Sequence, residues 1–357
     1  MLVTIVAVAL TTASVAAHAA GTTRQADTGA QPSGTVKEDG SGLLLPLVQA
    51  WAPAYHRQYP AATVITGGGG SGVGIDDAIS GKVQVGTSDA YLSSGDEFIH
   101  PDLLNIPLVT SAQSVIYDLP GVPQSTHVHL SGALLAQMYR GTITMWNDLR
   151  IAALNPGVPL PALKIRPVHR SIVAGDTFIF TQYLSTQDAT WNETTGYGTR
   201  VAWPPNPADK AADGSNVIYQ TCARMPGCVS YNGVSYLTAG QALGLGEAAL
   251  LNAEGNYTLP TQASIEATAS EFAQITPADG TIALIAGPGA DSYPIVNFEY
   301  AIVKSDQPTP AMARQVRDFL NWMITSGNAQ SFTGPVGFAA LPPGVQQVAA
   351  ELIARIS

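Results

Sequence analysis

Charge is scarce in this chain, and positive charge is scarcest. Asp, Glu, Lys and Arg make up 12% of the 357 residues, with 26 acids against 16 Lys and Arg, for a net charge of −10. A nucleic-acid partner needs concentrated Lys and Arg to neutralise phosphates, so that class is excluded. A small anion is not, because backbone amides and helix N-termini bind one without net positive charge. Cysteine is nearly absent, with only Cys222 and Cys228. In an oxidising compartment their simplest reading is a local disulfide around Met225-Pro226-Gly227. Zinc is the rival, but no second Cys or His pair lies nearby at ligand spacing.

Enzyme signatures are missing as well. No G-x-S-x-G elbow surrounds a serine, since the residue two after Ser71 is Val73. The six His form no H-E-x-x-H; His127 and His129 are expected on one face of a short strand. Glu299, in Asn297-Phe298-Glu299-Tyr300, is an acid in an apolar run and reads as a structural hydrogen-bonding residue. With no convincing acid/base pair and no metal set, neither an enzyme nor a cofactor is expected.

What is present is apolar and long. At 46% hydrophobic residues the chain is globular rather than disordered, and its length suits two domains. Met1 to Ala20 carries an apolar run from Leu2 to Leu10 and closes on Ala17-His18-Ala19, a small-x-small cleavage pattern, so residues 1–19 read as a signal peptide. No Lys or Arg precedes the run, unlike an ordinary leader. A membrane span is the rival, but the run falls short of the ~20 residues a bilayer core requires. Residues 20–37, rich in Gly, Thr, Ser, Ala and Gln, read as a flexible tether.

Beyond the tether, helical and β-rich patterns alternate. Leu44, Val48, Trp51 and Tyr55 recur a turn apart, predicting a helix over Leu43–Tyr59. Residues 62–66 predict a strand, 74–80 a short helix and 83–86 the next strand. Further strands are expected at 114–117, 163–168 and 295–303, and helices at 130–139, 178–184 and 311–326. Such alternation argues for an α/β layer architecture with mostly parallel strands.

The strongest local feature is the run Gly67-Gly68-Gly69-Gly70-Ser71-Gly72-Val73-Gly74. Glycines let several N–H groups approach one ligand, and Ser71 at the helix mouth adds a hydroxyl, so the run makes an anion cradle. It is equally a flexible turn, and it also satisfies G-x-G-x-x-G, though the helix after it is too short for a dinucleotide crossover. Asp89, in Gly86-Thr87-Ser88-Asp89-Ala90, follows a strand at the sheet edge where ligands bind. There it can accept the hydrogen of monohydrogen phosphate and repel sulfate, which has none to give at neutral pH. Its bland alternative is a turn or N-cap residue. Arg170 offers a planar fork for two oxygens, and the amides around Gly175 and Asp176 open a helix. A surface ion pair is the commoner fate of a lone Arg.

Together these segments resemble a known family. The glycine-serine loop, Thr87-Ser88-Asp89-Ala90 and His169-Arg170-Ser171…Gly175-Asp176-Thr177 look like the phosphate-binding component of bacterial phosphate ABC importers. So do Met138-Tyr139-Arg140-Gly141-Thr142-Ile143, Trp146-Asn147-Asp148, Leu154-Asn155-Pro156-Gly157, Cys222 to Cys228 and Tyr293 to Tyr300. The likeness spans residues 38–357 and is closest to the mycobacterial and actinobacterial type. It implies a type II periplasmic-binding-protein fold, α/β, with two lobes closing on a ligand cleft. One lobe would combine residues 38–112 with 293–357, the other would hold 113–292, and crossovers would lie near 109–115 and 291–297. Phosphate would contact Ser71, Asp89, Arg170 and Gly175, the backbone amides of Leu44 and Leu45, and Asp176 through backbone or carboxylate. The implied protein is a secreted or periplasmic monomer, not an enzyme, that hands inorganic phosphate to the membrane permease subunits of an ABC transporter.

Two departures qualify the expectation. The family pattern Arg-x-Asp-Gly-Ser-Gly is here Arg170-Ser171-Ile172-Val173-Ala174-Gly175. Ile172 removes an acid that would orient the Arg, and Val173 stands where a glycine's backbone freedom is expected. Ala174 removes a hydroxyl donor. One lost hydrogen bond to a charged ligand costs about 1.5–3 kcal/mol, or roughly ten- to hundredfold in affinity. The alternative function is therefore a degenerate relative with weakened or altered oxyanion binding, acting as a sensor or surface protein. The second departure is the lack of a lipobox cysteine near Ala19, which leaves no lipid anchor in prospect.

Overall fold

The first strand begins inside the stretch expected to be a tether. Strand β1 (Gly34–Gly40) pairs in parallel with β2 (Ala62–Ile65), matching Gly34 with Ala62 and Lys37 with Ile65. Val36, Glu38 and Gly40 point inward in strict alternation, the period of a strand with one face packed. Thr35 and Val36 are β-branched and fit that pleat. Residues 34–37 are thus sheet, and the expected tether ends earlier. The computed structural model describes residues 31–357; the expected signal peptide and most of the tether lie outside them.

The remaining strands of the main sheet are β3 (Val85–Ser88), β4 (Leu103–Tyr117), β5 (Arg166–Arg170), β6 (Lys210–Ala212), β7 (Cys228–Gly233) and β8 (Ile295–Lys304). Their order is β2-β1-β3-β8-β4-β7-β5-β6, with short strands at 246–247 and 284–285 added to β4 and β8. The outer pairs are parallel, but β8 runs antiparallel to both β3 and β4, and β4 antiparallel to β7. The centre therefore corrects the expectation of mostly parallel strands. β4 is the reason. Its residues 103–112 pair with β8 and residues 113–117 with β7, so one strand passes from the first group of strands into the second. All 15 of its residues are buried. The result is the two-lobed α/β architecture that the resemblance implied.

Seven helices matter for the cleft and its support: α1 (Leu45–Gln58), α2 (Ser71–Ser80), α3 (Gly132–Tyr139), α4 (Gly175–Gln187), α5 (Ser215–Cys222), α6 (Pro310–Ile324) and α7 (Pro343–Ile353). α1 buries Leu47, Val48, Trp51, Ala54 and Tyr55, the one-sided stripe its spacing predicts. Tyr55 meets Phe319 and Trp322 of α6 at ring-centroid distances of 5.0 and 5.4 Å. Thr309 caps α6 by accepting from Met312 N. α2 starts three residues earlier than its apolar pattern suggests, because Gly70 at φ +96° turns the chain directly into Ser71, a backbone that disfavours any side chain. Cys222 and Cys228 form the expected disulfide, with Cα atoms 5.3 Å apart, tying the end of α5 to the start of β7. His127 and His129 do not share a strand. His127 has φ +48° after a 3-10 turn, and only His129 enters a two-residue strand.

Candidate functional site

The N-termini of α1, α2, α4 and α5 come near the ends of β1, β3 and β5, where Ser41, Ser71, Gly175 and Ser215 meet Asp89 or Arg170. Ser71, the first residue of α2, is 1% exposed and its Oγ accepts from Asp89 N at 3.1 Å. Asp89 follows β3 and is buried, and its carboxylate accepts from Ser41 Oγ. Gly175 opens α4 against both. A Cβ built on it would lie 2.5 Å from Ser71 Oγ and 2.6 Å from Asp89 Oδ2, so only glycine permits this approach. Arg170 ends β5, buried, with Nη1 donating to Asp176 Oδ2 and reaching Ser215 Oγ at 3.3 Å. Gln113 Nε2 donates to Asp176 Oδ1 at 2.7 Å.

The structure thus brings Ser71, Asp89, Arg170, Gly175 and Asp176 together. Leu44 and Leu45 are adjacent, but their amides are engaged: Leu44 N donates to Ser41 Oγ at 2.9 Å and Leu45 N to Ser41 O at 3.1 Å. Ser41 occupies the donors that a ligand was expected to use.

The departures in the 172–174 loop have local consequences. Val173 carries no backbone strain, since among the described residues only His127 and Ala286 are non-glycines with positive φ. Its side chain, with that of Ile172, packs toward the glycine loop: a Cβ on Gly72 would be 2.6 Å from Val173 Cγ1, and one on Gly70 3.6 Å from Ile172 Cδ1. The acid missing at Ile172 is replaced from one turn on, by Asp176. Ser215 Oγ is the hydroxyl beside Arg170 where Ala174 has none. Beside the loop opens a groove of about 570 Å³, lined by Ile172, Val173, Val73, Ile79, Asp76 and Arg200 among others.

Burial governs the electrostatics. Asp89 is pushed well above the ordinary carboxylate range, first by desolvation and then by the charges of Glu299 and Asp176. Glu299 is raised by desolvation too, partly offset by Ser111 Oγ at 2.6 Å, Asn297 Nδ2 at 3.0 Å and Ser41 Oγ at 3.1 Å. Glu299 is the hydrogen-bonding residue its apolar setting suggested, yet it also belongs to the cleft. Ser41, Gln113 and Ser215 were missed by sequence reasoning. A signal existed for two of them: Ser41 stands three residues before the first helical amide it caps, and Ser111-Ala112-Gln113-Ser114 is a polar patch within a strand with no exposed face. Among the described residues no cluster of three or more His, Cys, Asp or Glu is suited to a metal.

The comparisons fit this geometry. The PBP superfamily domain matches residues 25–326. A phosphate-binding protein PstS of Methanocaldococcus jannaschii is 30% identical over 360 residues, covering 94% of this chain and 90% of that protein. The phosphate-binding protein PstS 3 of Mycobacterium leprae is 26% identical over 339 residues, 89% of this chain and 85% of that one. Among solved structures, a phosphate-binding protein from Stenotrophomonas maltophilia superposes with a TM-score of 0.64 at 17% identity, covering 89% of this chain and 94% of that chain, which speaks for the fold. The chain belongs to the PBP superfamily and, within it, to the PstS family.

Proposed function

We propose that this chain is an extracytoplasmic solute-binding protein that captures inorganic phosphate in the interlobe cleft and delivers it to the permease subunits of an ABC transporter. The observation that carries the reading is the convergence of Ser71, Asp89, Arg170 and Gly175, from four separate elements, on one buried position beside helix N-termini. Asp89 in its ionised form can accept the hydrogen of monohydrogen phosphate, and Arg170 supplies the positive charge. Relatives of this family are named as phosphate-binding proteins. We assign the lobes as 34–112 with 293–357, and 113–292. A signal peptide at 1–19 and a monomeric secreted or periplasmic form complete the proposal, and the Cys222–Cys228 disulfide supports an oxidising location.

A second reading, a diverged relative with altered oxyanion binding, is favoured by the engagement of the Leu44 and Leu45 amides with Ser41. Calorimetric titration with phosphate, after unfolding and refolding to strip carried-over ligand, separates the two. Tight binding establishes the receptor. Binding seen only in the triple variant Ile172→Asp, Val173→Gly, Ala174→Ser moves the native chain to the diverged role. Silence from both sinks the phosphate reading.

A further inference from the structure

Arg170 is the single Lys or Arg among the buried described residues, and it shares the cleft with three buried carboxyl groups, Asp89, Asp176 and Glu299. Asp89 is bonded to Ser41, and Glu299 to Ser41, Ser111 and Asn297. Asp176 alone among them faces the cation. Its Oδ2 accepts from Arg170 Nη1, its Oδ1 from Gln113 Nε2 at 2.7 Å, and it sits at the second residue of α4, where the helix end is positive. A guanidinium, an amide donor and a helix N-terminus are the donors that hold an oxyanion. Here one side chain of the protein takes the guanidinium and the amide donor from its place in the first turn of α4.

We propose that Asp176 is the cleft's own anion: its carboxylate occupies the donors an exogenous oxyanion needs, and so sets how tightly the cleft binds and disfavours multiply charged ligands. This rests on the phosphate reading above. Inorganic phosphate entering the cleft must displace the Asp176 carboxylate from Arg170 and Gln113, against repulsion from the same group. The side chain that replaces the acid missing at Ile172 as Arg170's partner is also the competitor.

The test is calorimetric titration of refolded protein with inorganic phosphate at pH 7.5, comparing the unmodified chain with Asp176→Asn, Asp176→Ser and Asp176→Glu. A residue serving only the structure weakens binding when replaced. A self-occupying anion does the opposite, so both neutral variants are expected to bind at least tenfold more tightly, and Asp176→Glu to stay as weak as the unmodified chain. Circular dichroism and the melting temperature establish that each variant is folded. Should Asp176→Asn leave the chain unfolded, Asp176→Ser, smaller and equally uncharged, reads the same outcome. If the unmodified protein binds phosphate and the neutral variants bind equally or less, the self-anion is overturned while the phosphate reading stands. If every form is silent, both fall.

Discussion

Arg170 and Asp176 hold each other where neither reaches bulk water, each with 3% of its side chain exposed. Removing one partner of such a pair leaves a charge buried and uncompensated, which costs more than the pair contributes. Arg170→Met is therefore expected to destabilise the fold by about 3–5 kcal/mol in urea denaturation, besides abolishing phosphate binding. Adding Asp176→Leu should return most of that stability without restoring binding; a double variant as unstable as the single one would show that the loss came from packing. Arg170 and Asp89 were legible as candidates because charged residues at strand ends are few in so uncharged a chain. Ser215 was not, because a serine beside a helix start reads as a cap in any protein; Ser41 was legible only as such a cap, and the fold alone shows that it faces Asp89.

At the scale of elements, strand β1 carries a carboxyl group into a tightly closed place. Glu38 is buried beside Thr87, whose hydroxyl donates to Oε1 at 2.6 Å, while Oε2 has no partner. Desolvation lifts its pKa from 4.5 to about 7. The folded state then binds more protons than the unfolded one between those values, so stability is greatest at low pH and declines as pH rises from about 4.5 through 7. The shift corresponds to about 3 kcal/mol at 1.36 kcal/mol per unit. Glu247, raised to about 7 by burial, adds a decline of the same sign. Glu38→Gln should raise the melting temperature at pH 8 more than at pH 5, and an equal change at both would remove Glu38 as the source. The next contact along is as close: a Cβ on Gly74 would collide with Thr87 O and lie 2.8 Å from Gly40 Cα. Gly74→Ala is expected to cost about 1–3 kcal/mol in chemical denaturation. It should also lower phosphate affinity, because Ser71 moves with α2.

Helix periodicity located α1 and α6 closely. Strands fared worse where both faces are buried, since β4 has no alternation to read and only its last four residues stood out. The chain order of the strands is also silent about β8 crossing back between β3 and β4, which made the centre antiparallel.

For the whole molecule, the question is where two lobes touch when the cleft is shut. Leu43 reaches Gly233, and Tyr236 donates to Gly42 O at 2.8 Å, so the segment before α1 is clasped by the far lobe. A second close approach is at Gly175, whose missing Cβ is the space occupied by Ser71 and Asp89. Its φ is not in the left-handed region and it lies in a helix, so alanine there suits α4 itself. The added methyl meets resistance only across the cleft. Gly175→Ala should therefore leave the melting temperature of the stripped protein almost unchanged while holding the lobes apart. By small-angle scattering, saturating phosphate is expected to reduce the radius of gyration of the unmodified protein but not of the variant, with a matching loss of affinity by calorimetry. Full compaction of the variant would mean that closure is set elsewhere, at the Leu43–Gly233 clasp, and that the contact at Gly175 follows closure rather than limiting it.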